Sequence, residues 1–248
     1  MSAALFVLKQ ENQKWPERIR AHARLWGKRY LAVTFALGLT VQCVVAQPSP
    51  VPSGASTNAA KRKTLVVLGD SLAAGLGVDP TEAYPAVLQR LLDDAGLGYQ
   101  VINAGISGDT SAGALRRVDW MLRRPVDALL LQIGGNDGLR GQSPAALKTN
   151  LVTIMERTRA KYPGVRIILA GMKMPPNMGA YATQFEQVFV EVAREQRAAL
   201  VPFLLEGVGG VPEMNLPDGI HPTPEGHRRV ARNVWAVLEP VLKREPAH

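Results

Sequence analysis

Ser71 stands in Leu68-Gly69-Asp70-Ser71-Leu72, directly after the apolar run 64–68, and Asp218-Gly219-Ile220-His221 lies near the far end of the chain. A serine hydroxyl is a weak nucleophile until a base takes its proton, and a histidine oriented by a carboxylate is a suitable base. Asp and His three apart, on a turn bounded by Pro217 and Pro222, let the carboxylate reach one ring nitrogen and leave the other for the serine. The chain has four histidines. His22 lies in the N-terminal segment, His248 is terminal and His227 falls inside an expected helix, so His221 is the well-placed base. Each piece also has a plain structural reading. Gly69-Asp70-Ser71 is equally a strand-to-helix turn capped by Ser71 or Asp70, and His221 equally a solvated turn residue.

Acyl transfer also needs donors aimed at the oxygen that becomes negative. Two loops offer them: Gly105-Ile106-Ser107-Gly108-Asp109-Thr110 and Gly134-Gly135-Asn136-Asp137. The backbone N–H groups of Ser71 and Gly108 and the Asn136 side-chain amide are the candidate donors; the alternative is two ordinary loops with Asn136 capping a helix. Other chemistries fit less well. Gly75-Leu76-Gly77 lacks the third glycine of a dinucleotide fingerprint, and no Gly-Lys-Ser/Thr phosphate loop exists. Asp70, Asp109 and Asp137 lack a histidine or second carboxylate at ligand spacing, so no metal is expected. Gly-x-Ser-x-Gly is absent as well.

These residues need a frame that brings them together. Continuous apolar runs at 64–68, 100–103, 128–133, 165–170 and 200–203 read as strands buried on both faces. Amphipathic stretches at 82–95, 111–122, 145–162, 181–197 and 224–242 read as helices, with Ser143 before Pro144 and Thr223 before Pro224 as N-caps. The alternation predicts an α/β fold, a three-layer doubly wound sheet of about five parallel strands. Ligands of such sheets bind outside the carboxyl ends of the strands. Ser71, Gly108, Asn136 and the 171–178 segment all fall on that rim, and His221 precedes the last helix.

At 248 residues and 46% hydrophobic, the chain can bury one sizeable core. The formal net charge of +8 is uneven. Residues 1–60 hold seven basic and two acidic side chains, leaving 22 and 19 in the remainder, so the body gives no reason to expect nucleic acid. Arg24, Lys28 and Arg29 precede an apolar stretch over 30–46, which reads as an export signal (1–46) cut after Ala46, or as a retained inner-membrane anchor. The positive region is long for a signal, which leaves a start downstream of Met1 open. Residues 47–62 are rich in Pro, Ser and Ala and read as a disordered tether. The folded domain is then 63–248, periplasmic or secreted. The single cysteine, Cys43, excludes an internal disulfide framework.

Leu68 to Leu72, Asn103 to Ser111, Gly134 to Gly141 and Asp218 to Pro222 resemble, in order, the four blocks of the SGNH (GDSL) hydrolase family. Within it they look like the bacterial multifunctional thioesterase I / protease I / lysophospholipase L1 branch. The likeness spans about 63–242. It implies Ser71 as nucleophile, His221 as base, Asp218 as its orienting partner, and Ser71, Gly108 and Asn136 as oxyanion donors. It also implies a flavodoxin-like sheet, no cofactor, and a shallow site hydrolysing acyl thioesters, lysophospholipids and aryl esters. Asp70, Ile106, Met174, Pro175 and Met178 are the candidate substrate-binding residues, the methionines because they adapt to varied acyl or aryl shapes. A monomer with transient membrane-lipid contact is expected. A carbohydrate O-deacetylase and a non-catalytic periplasmic binding module are the competing readings.

Overall fold

The computed structural model describes residues 62–244. The expected signal or anchor, most of the tether and the last four residues lie outside the described residues. Five parallel strands, β1 (Lys63–Gly69), β2 (Tyr99–Gly105), β3 (Ala128–Gln132), β4 (Arg166–Ala170) and β5 (Ala199–Val201), form one sheet in the order β2-β1-β3-β4-β5. The chain steps outward from β1 to β2 and then returns to place β3 on the other side of β1. That reversal opens a crevice at the carboxyl ends of β1 and β3, where Gly69 pairs with Gln132.

Among the described residues seven α-helices accompany the sheet: α1 (Ser71–Ala74), α2 (Tyr84–Asp94), α3 (Ser111–Met121), α4 (Gly135–Leu139), α5 (Pro144–Lys161), α6 (Ala180–Glu195) and α7 (Pro224–Lys243). α2 packs on α7, while α5 lies against both α3 and α6. β3 is buried along its whole length, and β1 and β4 nearly so. Burial on both faces fails at the sheet edges. β2 and β5 each have a neighbour on one side only, and Gln100 and Asn103 of β2 are exposed. β5 is also shorter than the expected 200–203, because Pro202 has no N–H to continue the ladder. Thr223 caps α7 through the Gly226 N–H, whereas the Ser143 hydroxyl makes no cap bond. At α5 Pro144 fixes the first helical φ instead, and the Ser143 carbonyl accepts from the Leu147 N–H.

α7 carries a polar group deep into this core. The His227 ring is fully buried, with Nδ1 accepting the Tyr84 N–H at 3.2 Å and Nε2 lacking a partner among the described residues. Burial, assisted by His221, pushes its pKa down from 6.5 to about 4. The unfolded chain therefore binds this proton before the folded one does. Stability is whole above about pH 6.5, falls as acid is added, and reaches its floor below about pH 4. The shift corresponds to about 3 kcal/mol. Denaturant titrations at the two ends of this window should show His227→Gln losing about that much less stability than wild type. Equal losses would contradict the assignment.

Candidate active site

The serine sits where β1 ends and α1 begins. Asp70 is the N-cap of α1: its Oδ1 accepts the Leu72 N–H at 3.0 Å, and Gly75 closes the four-residue helix with a left-handed φ of 74°. Gly69, just before it, has no room for a side chain. An added Cβ would stand 2.5 Å from Ala73 Cβ and 2.6 Å from Gln132 Oε1. Asp70 is buried, and burial pushes its carboxyl up from the ordinary value. The Gln132 amide, the Leu72 N–H and the His221 ring pull the other way, and Asp109 adds to the rise.

The histidine arrives on a folded-back turn. Leu216 N–H donates to the His221 carbonyl at 2.7 Å and Gly219 N–H to the Leu216 carbonyl at 2.9 Å. Gly219 takes a φ of 69° with open space around it, so glycine is needed there for its dihedral and not for room. The turn lets Asp218 Oδ1 accept the N–H groups of Ile220 and His221 at 2.9 and 3.0 Å. Its Oδ2 lies 2.6 Å from His221 Nδ1. These bonds, led by the backbone N–H of His221, hold the Asp218 carboxyl down at about 2. An ionised carboxylate can only accept, so Nδ1 carries the proton and Nε2 presents its lone pair. Ser71 Oγ lies 2.9 Å from that Nε2 and donates to it.

The two glycine-rich loops meet beside this pair. Asn136, inside α4, donates one amide proton to the Asp109 carbonyl at 2.9 Å, and Arg140 donates to the Gly108 carbonyl at 3.2 Å. Gly108 has a φ of 79°. Among the described residues the backbone N–H groups of Ser71 and Gly108 have no acceptor. The three acidic residues weighed as metal ligands are each engaged otherwise. Asp137 accepts from the Ser111 hydroxyl and N–H, Asp109 pairs with Arg117 at 2.8 Å, and Asp70 accepts from Gln132.

A cavity of about 580 Å³ opens over the serine. Its wall includes Asp70, Ser71, Asn136, Met174, Pro175 and His221, with Leu72, Leu139, Phe203 and Ile220 making it largely apolar. Ile106 and Met178, expected to bind substrate, are not on this wall. Ile106 projects into solvent, half exposed, and Met178 packs against the core from the short 3-10 turn Pro176–Met178. Gly108 is also absent from the wall, although its loop is pinned to α4. A hydroxyl hydrogen-bonded to a neutral imidazole, beside unused N–H donors and an apolar cavity, can attack an acyl carbon and steady the resulting oxyanion.

A family model described as GDSL-like Lipase/Acylhydrolase matches residues 67–229. The chain belongs to this family. It is 46% identical over 188 residues to Esterase TesA of Pseudomonas aeruginosa, covering 75% of this chain and 92% of that protein. It is 33% identical over 189 residues to Thioesterase 1/protease 1/lysophospholipase L1 of Escherichia coli K12, covering 75% and 88%. A crystal structure of TesA matches with a TM-score of 0.70 at 45% identity, covering 72% of this chain and 99% of that one. As a GDSL acylhydrolase, the chain is an enzyme that hydrolyses acyl ester or thioester bonds.

Two residues in this GDSL site carry no motif of their own. Arg117 joins the carboxyl ends of β1 and β2 to the loop after β2, donating to the Gly69 and Ala104 carbonyls at 2.9 and 2.7 Å and pairing with Asp109. Gln132 ends an otherwise apolar strand and donates to Asp70 Oδ1 at 3.0 Å. A polar side chain inside the apolar run 128–133 was the available signal for the second; nothing in the spacing marked the first. Asp218→Asn should leave thermal stability nearly unchanged, since the side chain is half exposed. Turnover of p-nitrophenyl acetate should nevertheless drop by about 10³–10⁴-fold, because an amide can hold the ring in the wrong tautomer. A loss under tenfold would contradict the geometry.

Proposed function

We propose that the chain is a serine esterase of broad acyl specificity that works through an acyl-serine intermediate. Ser71 is the nucleophile, His221 its general base and Asp218 the carboxylate that fixes the ring. Attack of Ser71 Oγ on the carbonyl passes its proton to His221 Nε2 and forms a tetrahedral oxyanion. The N–H groups of Ser71 and Gly108 and the free amide proton of Asn136 receive that oxyanion. His221 then gives its proton to the departing alcohol or thiol. Water, deprotonated by the same ring, attacks the acyl-serine and releases the acid.

The observation that carries this reading is the line Asp218–His221–Ser71 ending on the wall of an apolar cavity. The cavity offers an acyl chain apolar contact through Met174, Pro175 and Ile220, while the leaving group faces the open rim. Acyl thioesters, lysophospholipids and aryl esters share that requirement, and relatives carry the names Thioesterase 1/protease 1/lysophospholipase L1 and Arylesterase. Action outside the cytoplasm accords with the basic and then apolar segment ahead of residue 47.

Ser71→Ala should lose several orders of magnitude in turnover while keeping its thermal unfolding midpoint. Asp218, held down at about 2, should add no step to turnover between about pH 4 and pH 8, and a loss of activity with a midpoint near pH 4 would contradict its bonds to His221. A panel of medium-chain acyl-CoA, lysophosphatidylcholine, phenyl acetate and an acetylated sugar tests specificity. Preference for the acetylated sugar would replace the acyl-chain reading with an O-deacetylase.

A further inference from the structure

The carboxylate next to the nucleophile is held by a side chain that the catalytic steps do not use. Asp70 Oδ1 receives two hydrogen bonds at 3.0 Å, one from the Leu72 N–H of α1 and one from Gln132 Nε2. Gln132 is fully buried at the carboxyl end of β3, in register with Gly69 on β1. Its amide has one sensible orientation. The carboxylate can only accept, so the NH₂ group must face Asp70, and the carbonyl faces the Tyr84 hydroxyl at 3.5 Å. The bare Cα of Gly69 leaves the space that Gln132 Oε1 occupies. The first two residues of the Gly-Asp-Ser triplet therefore both serve this contact, one by making room and one by accepting.

We propose that Gln132 is a positioning residue: its buried amide keeps Asp70 as an ionised N-cap, and that cap sets the first turn of α1 so that Ser71 meets His221. A neutral donor suits this place in a way few groups would. A carboxylate at position 132 would confront Asp70 with a like charge, and an apolar side chain would leave a buried carboxylate with one donor fewer. Two other titratable groups act on Asp70, His221 from the turn before α7 and Asp109 from the loop after β2, while the Tyr84 hydroxyl of α2 is itself pushed up by burial and by Asp70. Of these, only His221 favours the ionised form.

Two single variants should move activity in opposite directions with pH, which loosened packing alone would not do. In Gln132→Glu the paired carboxyls share one proton at low pH, imitating the amide donor, and repel once it leaves. Its kcat for p-nitrophenyl acetate should fall on the alkaline side, where wild type holds level. Gln132→Met removes a donor that favours ionised Asp70, so its kcat should fall by about 100-fold on the acid side and recover as pH rises. KM should change little in either. Adding Asp70→Asn to Gln132→Glu restores one donor and one acceptor, and should remove the alkaline loss. If Gln132→Glu does not fold, the Gln132→Met profile decides alone.

Wild-type profiles in both single variants would overturn the proposal, as would a pH-independent loss in both. The inference rests on Ser71 being the nucleophile, and the two fail separately. Activity that survives Ser71→Ala sinks the serine mechanism. Indifferent Gln132 variants in an enzyme that Ser71→Ala inactivates sink only the positioning role.

Discussion

The site depends on one hydrogen bond, 2.9 Å between Ser71 Oγ and His221 Nε2, made by residues from opposite ends of the folded domain. Nothing local enforces it. The serine is placed by β1, the α1 cap and the glycine at 69; the histidine is placed by the turn that precedes α7. The sheet makes them neighbours because the crossover from β2 to β3 opens a crevice at the carboxyl ends of β1 and β3. The direction of the bond comes from Asp218. Fixed by two backbone N–H donors and ionised, it accepts the Nδ1 proton and leaves the lone pair on the nitrogen facing the serine.

Around that bond two buried carboxylates are paired. Asp70 takes its donors from Leu72 and Gln132, and Asp137 takes both of its from Ser111, whose hydroxyl in turn accepts from Asn150 at 2.8 Å. These contacts tie the first turns of α1 and α3 to the end of β3, to α4 and to α5. Unpaired, such a buried carboxylate would be costly and would neutralise itself; paired, it rigidifies the loop that carries it. By contrast, among the described residues the N–H groups of Ser71 and Gly108 have no acceptor, which leaves them available to a reacting oxygen.

Much of this was legible in the sequence because it follows from period and punctuation. Five apolar runs alternating with amphipathic stretches specify a parallel sheet, and the turn residues around Ser71 and His221 fall at its carboxyl rim. What escaped was set by three-dimensional neighbours. Gln132 sits inside an apolar run, so its role appears only once Gly69 is found beside it. Ile106 and Met178 have the right chemistry for an acyl wall, but the loop after β2 points one outward and the 3-10 turn packs the other on the core. Edge exposure of β2 depends on strand order, which the residues of β2 do not encode. α1 and α4 span four and five residues, too short for any helical period to show.

The most direct test of the account is covalent trapping. Treating the purified enzyme with a small organophosphonate fluoride, then digesting it and weighing the peptides, locates the nucleophile without reliance on turnover. One adduct per chain on the peptide containing Ser71, formed at least about 100-fold more slowly in His221→Ala, is the predicted result. An adduct on another residue, or a labelling rate indifferent to His221, would contradict it.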